Sequence, residues 1–483
     1  MTLGLGAESG DGQEELPGGG TGELPRGWAR VTLAELCDIN PRYFDEEPGD
    51  DDFISQVPMA AVEAETGRMD ASSQVRYGDF KQKSLTRFQE NDVLFAKITP
   101  CMENGKIAVA RGLLDGRALG STEFHVLRSF GAILPEYLMH YLLQRDVRAN
   151  AEQNMSGAVG QRRVPRPYLE SIEIPVPPLA EQHRIVTEIE RQISHIEAGE
   201  DAVNIASKRM ANLVQAIRTD ALWPVGTVLP TDWSWGTVGD VLDDIEAGKS
   251  FTCLPRPANR DEWGIIKVSA MTWGEFRPEE NKAIPPEREP NPAHEIRSGD
   301  ILVSRANTVD YVGAPVLVGA TRGRLLLSDK SLRLVPKRDV DVNWLVHMLA
   351  SPAVRAQYSE AATGTSDSMR NISQKVVREA RIPIPECDST RKEIAETINS
   401  RIELVEEFRT PLMEQVGHAR DLRAALLNAA FTGILVPQDP ANEHASVLLD
   451  RIRAERATAR KVPRKRAARK PRSTPPGQEE LPQ

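Results

Sequence analysis

The sequence predicts an α+β fold: two globular domains in tandem, each followed by a long helix, with the two helices pairing as an antiparallel coiled coil. Three observations lead to this prediction. The chain repeats itself once, each copy mixes short apolar strands with helical segments, and each copy ends in an apolar seven-residue repeat.

The internal repeat sets the domain organisation. Its three matched pairs are offset by 205 to 208 residues, which is too long for a solenoid repeat and fits two copies of a whole domain. The pairs are Leu24-Pro25-x-x-Trp28 with Leu229-Pro230-x-x-Trp233, Asn91–Phe95 with Gly299–Val303, and Ile174–Pro177 with Ile382–Pro385.

Within each copy, short apolar runs bounded by turn residues predict buried strands. Apolar residues at three- and four-residue spacing predict a helix. The predicted strands are Val93–Ala96, Ile107–Ala110, Ile301–Val303 and Pro315–Val318, and the predicted helices are Tyr137–Leu143 and Trp344–Leu349. Each copy is therefore an α+β domain of about 150 residues.

A seven-residue apolar repeat follows each domain. One such stripe could equally be the core face of an ordinary helix, but two matched stripes favour the packing of one helix against the other. We expect Gly199 and Pro411 to kink or break the helices near their middles. The helix-pairing positions are Ile189, Ile196, Val203, Met210 and Ile217, and Ile398, Val405, Leu412, Ala419 and Leu426.

These patterns divide the chain into six segments. The two ends differ in charge: residues 1–23 carry five acids and no base, and residues 451–472 carry eleven Lys or Arg and one acid. The segments are a disordered acidic tail over 1–22, the first domain over 23–178, its helix over 179–222, the second domain over 223–385, its helix over 386–431, and a basic, disordered tail over 432–483.

Composition indicates a globular protein that does not enter a membrane. Apolar residues make up 40% and charged residues 27%, and no run of about 18 apolar residues exists. The N-terminus lacks the features of a signal peptide. Four cysteines lie far apart, which argues against a zinc site or a disulfide framework and favours the cytoplasm.

Fragments of catalytic motifs occur, but each is incomplete. Asn40-Pro41-Arg42-Tyr43 resembles an adenine methyltransferase site with the wrong third residue, and Gly248-Lys249-Ser250 lacks the first glycine of a P-loop. Glu103-x-x-Lys106 with Asp92 is a weak match to a metal-dependent nuclease. His125 lies in an apolar run, where a structural role is expected. We therefore predict no catalytic residue and no metal site.

Polar clusters flank the apolar strands of both copies. Base readout needs Arg, Lys, Asn, Gln, Ser or Thr side chains, although the same residue types also form ordinary solvated loops. The net charge of −10 requires any DNA-binding surface to be local. The candidates are Lys97, Thr99, Asn104, Lys106, Gln161, Arg162, Arg163 and Arg166 in the first copy, and Arg305, Asn307, Thr308, Ser366, Ser368, Arg370, Asn371, Gln374 and Lys375 in the second.

Two stretches resemble the specificity subunits of Type I restriction–modification enzymes. Phe95–Lys106 followed by Gly120–Arg128 looks like their first target-recognition domain, and Ile174–Gln182 followed by Ile185 looks like the start of their conserved spacer helix. The resemblance covers roughly residues 23–437. The second copy departs from it, with Pro385-Glu386-Cys387-Asp388 at the corresponding boundary.

The resemblance implies a non-catalytic chain that binds double-stranded DNA. Each domain would recognise one half of a bipartite target, and the helices would recruit two methyltransferase subunits and motor-nuclease subunits. S-adenosylmethionine, ATP and Mg²⁺ would be bound by those partners and none of them by this chain. A helix of about 40 residues is about 60 Å long, enough to span successive major-groove faces about 34 Å apart.

Two rival hypotheses remain open at this stage. One is a protein-interaction scaffold without DNA specificity, which the acidic net charge supports. The other is a standalone DNA methyltransferase or nuclease, which the incomplete motifs disfavour.

Overall fold

The computed structural model describes residues 23–158, 160–224, 229–250, 252–272, 274–366 and 369–459. The chain divides into two compact units. Of the described residues, the first unit contains those up to Gly199 together with those from His418 onwards, and the second contains those from Glu200 to Gly417. The segment 1–22, for which the sequence predicts an acidic tail, lies outside the described residues.

The domain of the first unit is built from two four-stranded sheets and a separate strand pair. One sheet has the order β2-β9-β6-β7 and the other the order β4-β3-β8-β5, while β1 pairs with β10. The strands are β1 Ala29–Thr32, β2 Cys37–Ile39, β3 Phe53–Val57, β4 Gln74–Arg76, β5 Thr86–Gln89, β6 Val93–Ala96, β7 Ile107–Val109, β8 Arg117–Gly120, β9 Phe124–Ser129 and β10 Glu173–Val176. The helices are α1 Leu33–Leu36, α2 Tyr77–Phe80, α3 Pro135–Leu143, α4 Arg145–Gln153 and α5 Arg166–Ser171.

The domain of the second unit follows the same plan. Its sheets have the orders β12-β19-β15-β17 and β14-β13-β18, β11 pairs with β22, and a third sheet has the order β16-β21-β20. The strands are β11 Trp233–Thr237, β12 Leu242–Ala247, β13 Gly264–Ile266, β14 Asn281–Ala283, β15 Ile301–Ser304, β16 Ala306–Asn307, β17 Pro315–Leu317, β18 Leu325–Leu326, β19 Ser331–Pro336, β20 Thr363–Ser366, β21 Met369–Asn371 and β22 Arg381–Pro385. The helices are α7 Val342–Ala350, α8 Pro352–Ala361 and α9 Gln374–Glu379.

The strands and helices predicted from the apolar runs are confirmed. All four residues of β6 and all four of β15 are buried, which explains why these strands are continuous apolar runs without a polar alternation. The predicted helices correspond to α3 and α7, whose buried residues include Tyr137 and Trp344. The two α+β domains in tandem are therefore those the repeat predicts.

Two helices of 44 residues each, α6 Leu179–Leu222 and α10 Asp388–Phe431, follow the domains. In the first unit their segments run antiparallel, with Glu197 3.9 Å from Arg423. In the second unit, Asp220 lies 3.3 Å from Arg401 and Ser207 contacts Met413 at 3.7 Å, again in opposite directions along the chain.

The apolar seam of these helices is shielded from solvent. None of the ten helix-pairing positions is exposed: Ile189, Ile196, Ile217, Ile398, Val405 and Leu426 are buried, and Val203, Met210, Leu412 and Ala419 are half-buried. Burial of this apolar stripe adds tertiary packing to the local propensity of the helices.

The expected break near the middle of each helix is not found. Helix α6 continues through Gly199, and α10 continues with Pro411 inside it. A proline inside a helix removes one backbone hydrogen bond, and α10 continues through that position. Among the described helices, none is long and apolar enough to cross a membrane.

The C-terminal region also differs from the sequence-based expectation. Disorder was expected from residue 432 onwards, but Ala445–Ala459 forms helix α11 in the first unit. Ala445, Leu449 and Ile452 lie on one helical face and are buried in the core of that unit. Arg453 pairs with Glu35 at 2.7 Å. The high Arg content concealed this stripe, and residues 460–483 lie outside the described part of the chain.

Candidate nucleic-acid interface

In the first domain, two predicted polar clusters are brought together by backbone pairing. The loop after β6 lies beside a hairpin formed by residues 155–158 and 160–164. Thr99 N donates to Arg162 O at 3.0 Å, and Val164 N donates to Lys97 O at 2.9 Å. Ser156 and Arg163 close the hairpin with two hydrogen bonds of 3.0 and 2.8 Å. The loop and the hairpin form one continuous edge, named here the first platform.

A glycine shapes the hairpin of the first platform. Gly157 has a φ of +122°, a region that favours glycine. A Cβ added there would lie 3.0 Å from the carbonyl oxygen of Gln161. This close approach lets the hairpin turn back on itself and presents Gln161, Arg162 and Arg163 at its returning strand.

Each arginine of the predicted basic cluster has a carboxylate partner. Arg162 lies 3.3 Å from Glu152, and Arg166 lies 2.7 Å from Glu170. Arg163 makes two hydrogen bonds of 2.9 Å to Glu123, and this guanidinium lowers the pKa of the Glu123 carboxyl below its usual value. The cluster is thus a set of exposed ion pairs.

The three carboxylates were missed in the sequence analysis. Glu170 stands four residues after Arg166, a spacing that could have indicated the pair. Glu123 and Glu152 carry no such signal for Arg163 and Arg162, because the pairing depends on the way the hairpin meets β9 and α4.

The remaining candidates of the first platform differ in how far their side chains are exposed and in whether they already have hydrogen-bond partners within the domain. Asn104 and Gln161 are exposed, whereas Lys97 is half-buried and donates to Thr122 O at 2.7 Å. Thr99 donates to Glu103 at 2.8 Å. Lys106 does not face DNA as expected, because its amine donates to two backbone carbonyl oxygens of the domain, those of Met59 and Val62.

His125 and Asn40 hold the first platform in place. His125 is 5% exposed, its Nδ1 lies 3.0 Å from Asn40 Nδ2, and its Nε2 lies 2.9 Å from Val164 O. If the Asn40 amide donates, Nδ1 accepts and Nε2 carries the proton given to Val164. Burial is the main cause of the lowered pKa of His125. The expected structural role of His125 is confirmed, and Asn40 serves the same role.

In the second domain, the same pairing recurs 208 residues later. Ala306 pairs with Asn371, Asn307 pairs with Arg370, and Ile372 N donates to Arg305 O at 3.0 Å. The hairpin here is formed by β20 and β21. We name this edge, residues 305–308 with 363–366 and 369–372, the second platform.

A glycine also shapes the second platform. Gly364 has a φ of +145°, and a Cβ there would lie 2.5 Å from Met369 O. The two platforms therefore share their backbone arrangement while they carry different side chains.

Two candidates of the second copy are used inside the domain. Asn307 is 9% exposed, and its amide bonds Ser304 at 3.2 Å and the Thr308 N–H at 2.8 Å. Gln374 donates to Ile245 O at 3.1 Å. The burial of Asn307 corrects the expectation that this side chain faces DNA, whereas Gln374 is half-buried and uses one amide donor inside the domain.

The other candidates of the second copy are placed as follows. Asn371 is exposed, Arg305 and Thr308 are half-buried, and Lys375 lies 3.7 Å from Glu379 one helical turn away. Arg370 is half-buried. Ser366 belongs to β20, and Ser368 lies outside the described residues.

The partial catalytic motifs have structural explanations. A Cβ at Gly248 would lie 2.2 Å from Leu327 O, so the backbone packs there and leaves no space for a phosphate. Asp92 forms a buried ion pair with Arg128 at 2.8 Å. Among the described residues, no group of three His, Cys, Asp or Glu could hold a metal ion.

The first domain matches a family model of known proteins, and most of the chain is similar to a curated relative. Residues 25–203 match the family model described as "Type I restriction modification DNA specificity domain". The Type I restriction enzyme EcoEI specificity subunit of Escherichia coli is 29% identical over 499 residues, covering 85% of this chain and 83% of that protein. The EcoAI specificity subunit of the same organism is 38% identical over 167 residues, covering 34% of this chain and 28% of that protein.

The fold is also found in a solved structure. A chain from a study described as "Structural basis underlying complex assembly and conformational transition of the type I R-M system" aligns with a TM-score of 0.63 and 22% identity. The alignment covers 85% of this chain and 99% of that chain.

Proposed function

We propose that each domain of this chain, which belongs to the family of Type I restriction–modification specificity subunits, recognises one half of a bipartite DNA target. The chain is the DNA recognition subunit of such a system. The observation that carries the proposal is the matched pairing of Lys97–Thr99 with residues 162–164 and of Arg305–Asn307 with residues 370–372. One backbone arrangement, used twice, would present two different sets of side chains.

The ion pairs of the first platform are compatible with DNA binding. Exposed ion pairs contribute about 0–1 kcal/mol, so an arginine can exchange its carboxylate for a phosphate at small cost. Arg162 and Arg163 are 36% and 42% exposed in their side chains. The paired carboxylates would also reduce attachment to DNA of any sequence, which suits a chain that must discriminate between sites.

The second platform has a different polar surface. Arg305, Arg370 and Asn371 stand where Lys97, Arg162 and Arg163 stand in the first domain. Arginine is the common partner of guanine and asparagine of adenine in the major groove. Different side chains at matched positions would give the two half-sites different sequences.

The long helices would recruit the partner subunits. In the second unit, Leu404 and Phe408 are 58% and 68% exposed on α10, and Ile205 and Leu213 are about half exposed on α6. Leu404 and Phe408 lie four residues apart on one face of α10, and we take this adjacent apolar pair as the candidate contact for a partner protein. We propose that two methyltransferase subunits bind these helices and that motor-nuclease subunits join them.

In this proposal the chain is not an enzyme. S-adenosylmethionine, ATP and Mg²⁺ are bound by the partner subunits, and the chain contributes recognition and assembly in the cytoplasm. A purified chain should transfer no methyl group to DNA on its own. Methylation should require the methyltransferase subunits of its host.

A scaffold without DNA specificity is the second candidate. The observation that favours it is the carboxylate beside each arginine of the first platform. A scaffold of this kind would bind the partner subunits and show no preference among DNA sequences.

One experiment separates the two candidates. The full chain is co-purified with its methyltransferase subunits and used to select duplexes from a random DNA pool. Recovery of two short motifs at a fixed spacing supports the proposal. Recovery of no motif from a complex that still contains the methyltransferase subunits supports the scaffold. Phe408→Ser should reduce the co-purified methyltransferase, whereas Val447→Ser, at an exposed position of α11, should not.

A further inference from the structure

An arginine of the second unit is half-buried without a carboxylate partner. Arg218 of α6 forms no ion pair with any described residue, and burial lowers the pKa of its guanidinium with no nearby carboxylate to oppose the shift. When the Gln215 amide is oriented to bond both of its neighbours, its oxygen accepts from Arg218 Nη1 at 3.1 Å. A neutral amide offsets only part of the cost of burying a charge, so this guanidinium lacks a counter-ion.

A second arginine of the same unit is in a similar state. Arg355 of α8 is half-buried and donates to two backbone carbonyl oxygens, that of Val312 at 2.5 Å and that of Asp310 at 3.0 Å. It has no carboxylate partner among the described residues, and burial lowers its pKa to about 10. Two buried cations of the second unit are therefore uncompensated.

The matched positions of the first unit are compensated. Arg148 lies 207 residues before Arg355, and it donates to the carboxylate of Glu65 at 2.5 Å. The residue of α10 that corresponds to Arg218 in the helix repeat is Leu427. At these two positions the first unit has one arginine with a carboxylate, and the second unit has two arginines without one.

Both uncompensated arginines line one cavity of about 620 Å³, and its described lining residues all belong to the second unit. The volume is within the roughly 300–1,000 Å³ of ordinary small-molecule sites. Two acids also line the cavity, but neither carboxylate pairs with these arginines among the described contacts. Glu275 pairs with Arg277 at 3.0 Å, and Asp310 is exposed and contributes its backbone carbonyl.

The cavity is lined by hydrogen-bond donors that have no partner among the described residues. Asn399 Oδ1 lies 2.8 Å from His347 Nε2, and in this orientation the Nδ2 donor of Asn399 is unused. Arg355 Nε and Arg218 Nη2 are also unused. None of these three nitrogens belongs to the buried atoms without a partner, so each retains accessible surface. Accessible donors without acceptors favour an anion.

We propose that this cavity binds a small dicarboxylate, with one carboxylate on each arginine. The pairing of Arg148 with Glu65 in the first unit shows that the guanidinium matched to Arg355 accepts a carboxylate. Planar guanidinium groups hold carboxylates through charge-assisted hydrogen bonds, and Asn399 Nδ2 donates a further one. Each carboxylate offsets a charge that burial otherwise disfavours.

Calorimetric titration of the full chain with succinate and with the longer glutarate tests the proposal. At least one of them should bind saturably. Acetate, which has one carboxylate, succinamide, which has none, and inorganic phosphate, which offers one anionic group, should each bind at least about tenfold more weakly. The proposal is overturned if neither dicarboxylate binds, or if succinamide or phosphate binds as tightly as the better dicarboxylate.

Three variants test the site itself. Arg218→Leu should weaken binding of the dicarboxylate by at least about tenfold without loss of thermal stability, since the charge that it removes has no partner. Arg209→Leu makes the same change at an exposed position of α6 that does not line the cavity, and should bind as the unaltered chain does. Asn399→Asp keeps the acceptor for His347 and supplies a carboxylate from the chain itself, so it should abolish binding. Equal effects of the two arginine substitutions, or full affinity in Asn399→Asp, would also overturn the proposal.

Discussion

Arg163 and Glu123 form a two-pronged ion pair at the edge of the first platform, with Nε–Oε2 and Nη2–Oε1 distances of 2.9 Å. The pair joins the returning strand of the hairpin to the turn before β9. Arg163 is thereby held in a fixed orientation toward solvent, and its charge is locally compensated. Arg163 can bind a DNA phosphate only if its guanidinium exchanges the Glu123 carboxylate for that phosphate.

Replacing Glu123 by Gln should strengthen DNA binding at low salt. The change removes one negative charge beside Arg163 while it keeps the shape of the side chain. We expect the affinity for duplex DNA to rise by roughly two- to tenfold and the salt dependence to steepen by at most about one unit in log–log slope. Binding is measured by fluorescence anisotropy over a salt series.

Glu188→Gln is the matched control for this change. Glu188 holds Arg191 through a similar two-pronged pair on α6, away from the platform. This variant should leave the DNA affinity unchanged. Equal effects of the two substitutions would show that only the net charge of the chain matters, and would remove the special role of Glu123.

Replacing Arg162 and Arg163 by Ala should weaken DNA binding and flatten its salt dependence. Each phosphate contact that is lost reduces the log–log slope by about 0.9, so the double variant should lose at most about two units. Arg191→Ala is the control, because it removes an exposed arginine that is also paired with a carboxylate. An unaltered slope in the double variant would exclude these two arginines from the interface.

The order of elements and the duplication could be predicted from the sequence, because they depend on local patterns. Val93–Ala96 is an apolar run with turn residues around it, and the repeat of seven after Pro177 needs no tertiary information. The availability of each candidate side chain could not be predicted. Lys106 and Asn307 look like DNA contacts in the sequence. In the folded domains, however, Lys106 donates to the carbonyl oxygen of Val62 and Asn307 donates to Ser304.

Helix α11 shows a second limit of sequence patterns. Its apolar residues are separated by arginines that also suit a disordered tail, and only the packing of Leu449 and Ile452 against the first unit distinguishes the two cases. The segment with which each platform hairpin pairs also cannot be identified from local sequence patterns. The pairing of Lys97 with Val164 joins residues that are far apart in the chain.

Two truncations should separate the role of α11 from that of the basic tail. Ending the chain after residue 459 removes the Lys- and Arg-rich segment 460–472 and should lower non-specific DNA affinity with little effect on stability. Ending it after residue 444 also removes the buried Leu449 and Ile452, and should destabilise the first unit by several kcal/mol, at about 2–3 kcal/mol for each buried aliphatic side chain. Thermal unfolding and DNA binding are measured for both chains.

Two results would contradict this division of roles. Equal stability of the two truncated chains would mean that α11 does not pack as described. Unchanged non-specific binding after loss of residues 460–483 would assign the basic segment a role other than phosphate contact.

The first unit should lose stability as the pH falls from about 6.5 to about 4. Burial lowers the pKa of His140 to about 4 from its usual 6.5, so the unfolded chain takes up the proton first and the free energy of unfolding decreases across this window. The full effect is at most about 3 kcal/mol, because one pKa unit corresponds to 1.36 kcal/mol. The unfolding of this unit is measured as a function of pH by hydrogen exchange of the α3 backbone amides.

His140→Gln should remove that part of the pH dependence, since glutamine does not titrate. His183→Gln changes an exposed histidine of α6 and should keep the dependence of the unaltered chain. The same pH profile in both variants would show that His140 is not the group responsible.

Sequencing of the methylated bases in the host genome tests the central claim most directly. The genome is compared among the strain with this gene, the strain without it, and the strain in which Arg162 and Arg163 are replaced by Ala. We predict a bipartite motif that contains methylated adenine and that disappears when the gene is deleted. In the strain with Arg162 and Arg163 replaced by Ala, one half of the motif should lose its base discrimination and the other half should keep it. An unchanged methylation pattern after deletion would contradict the account.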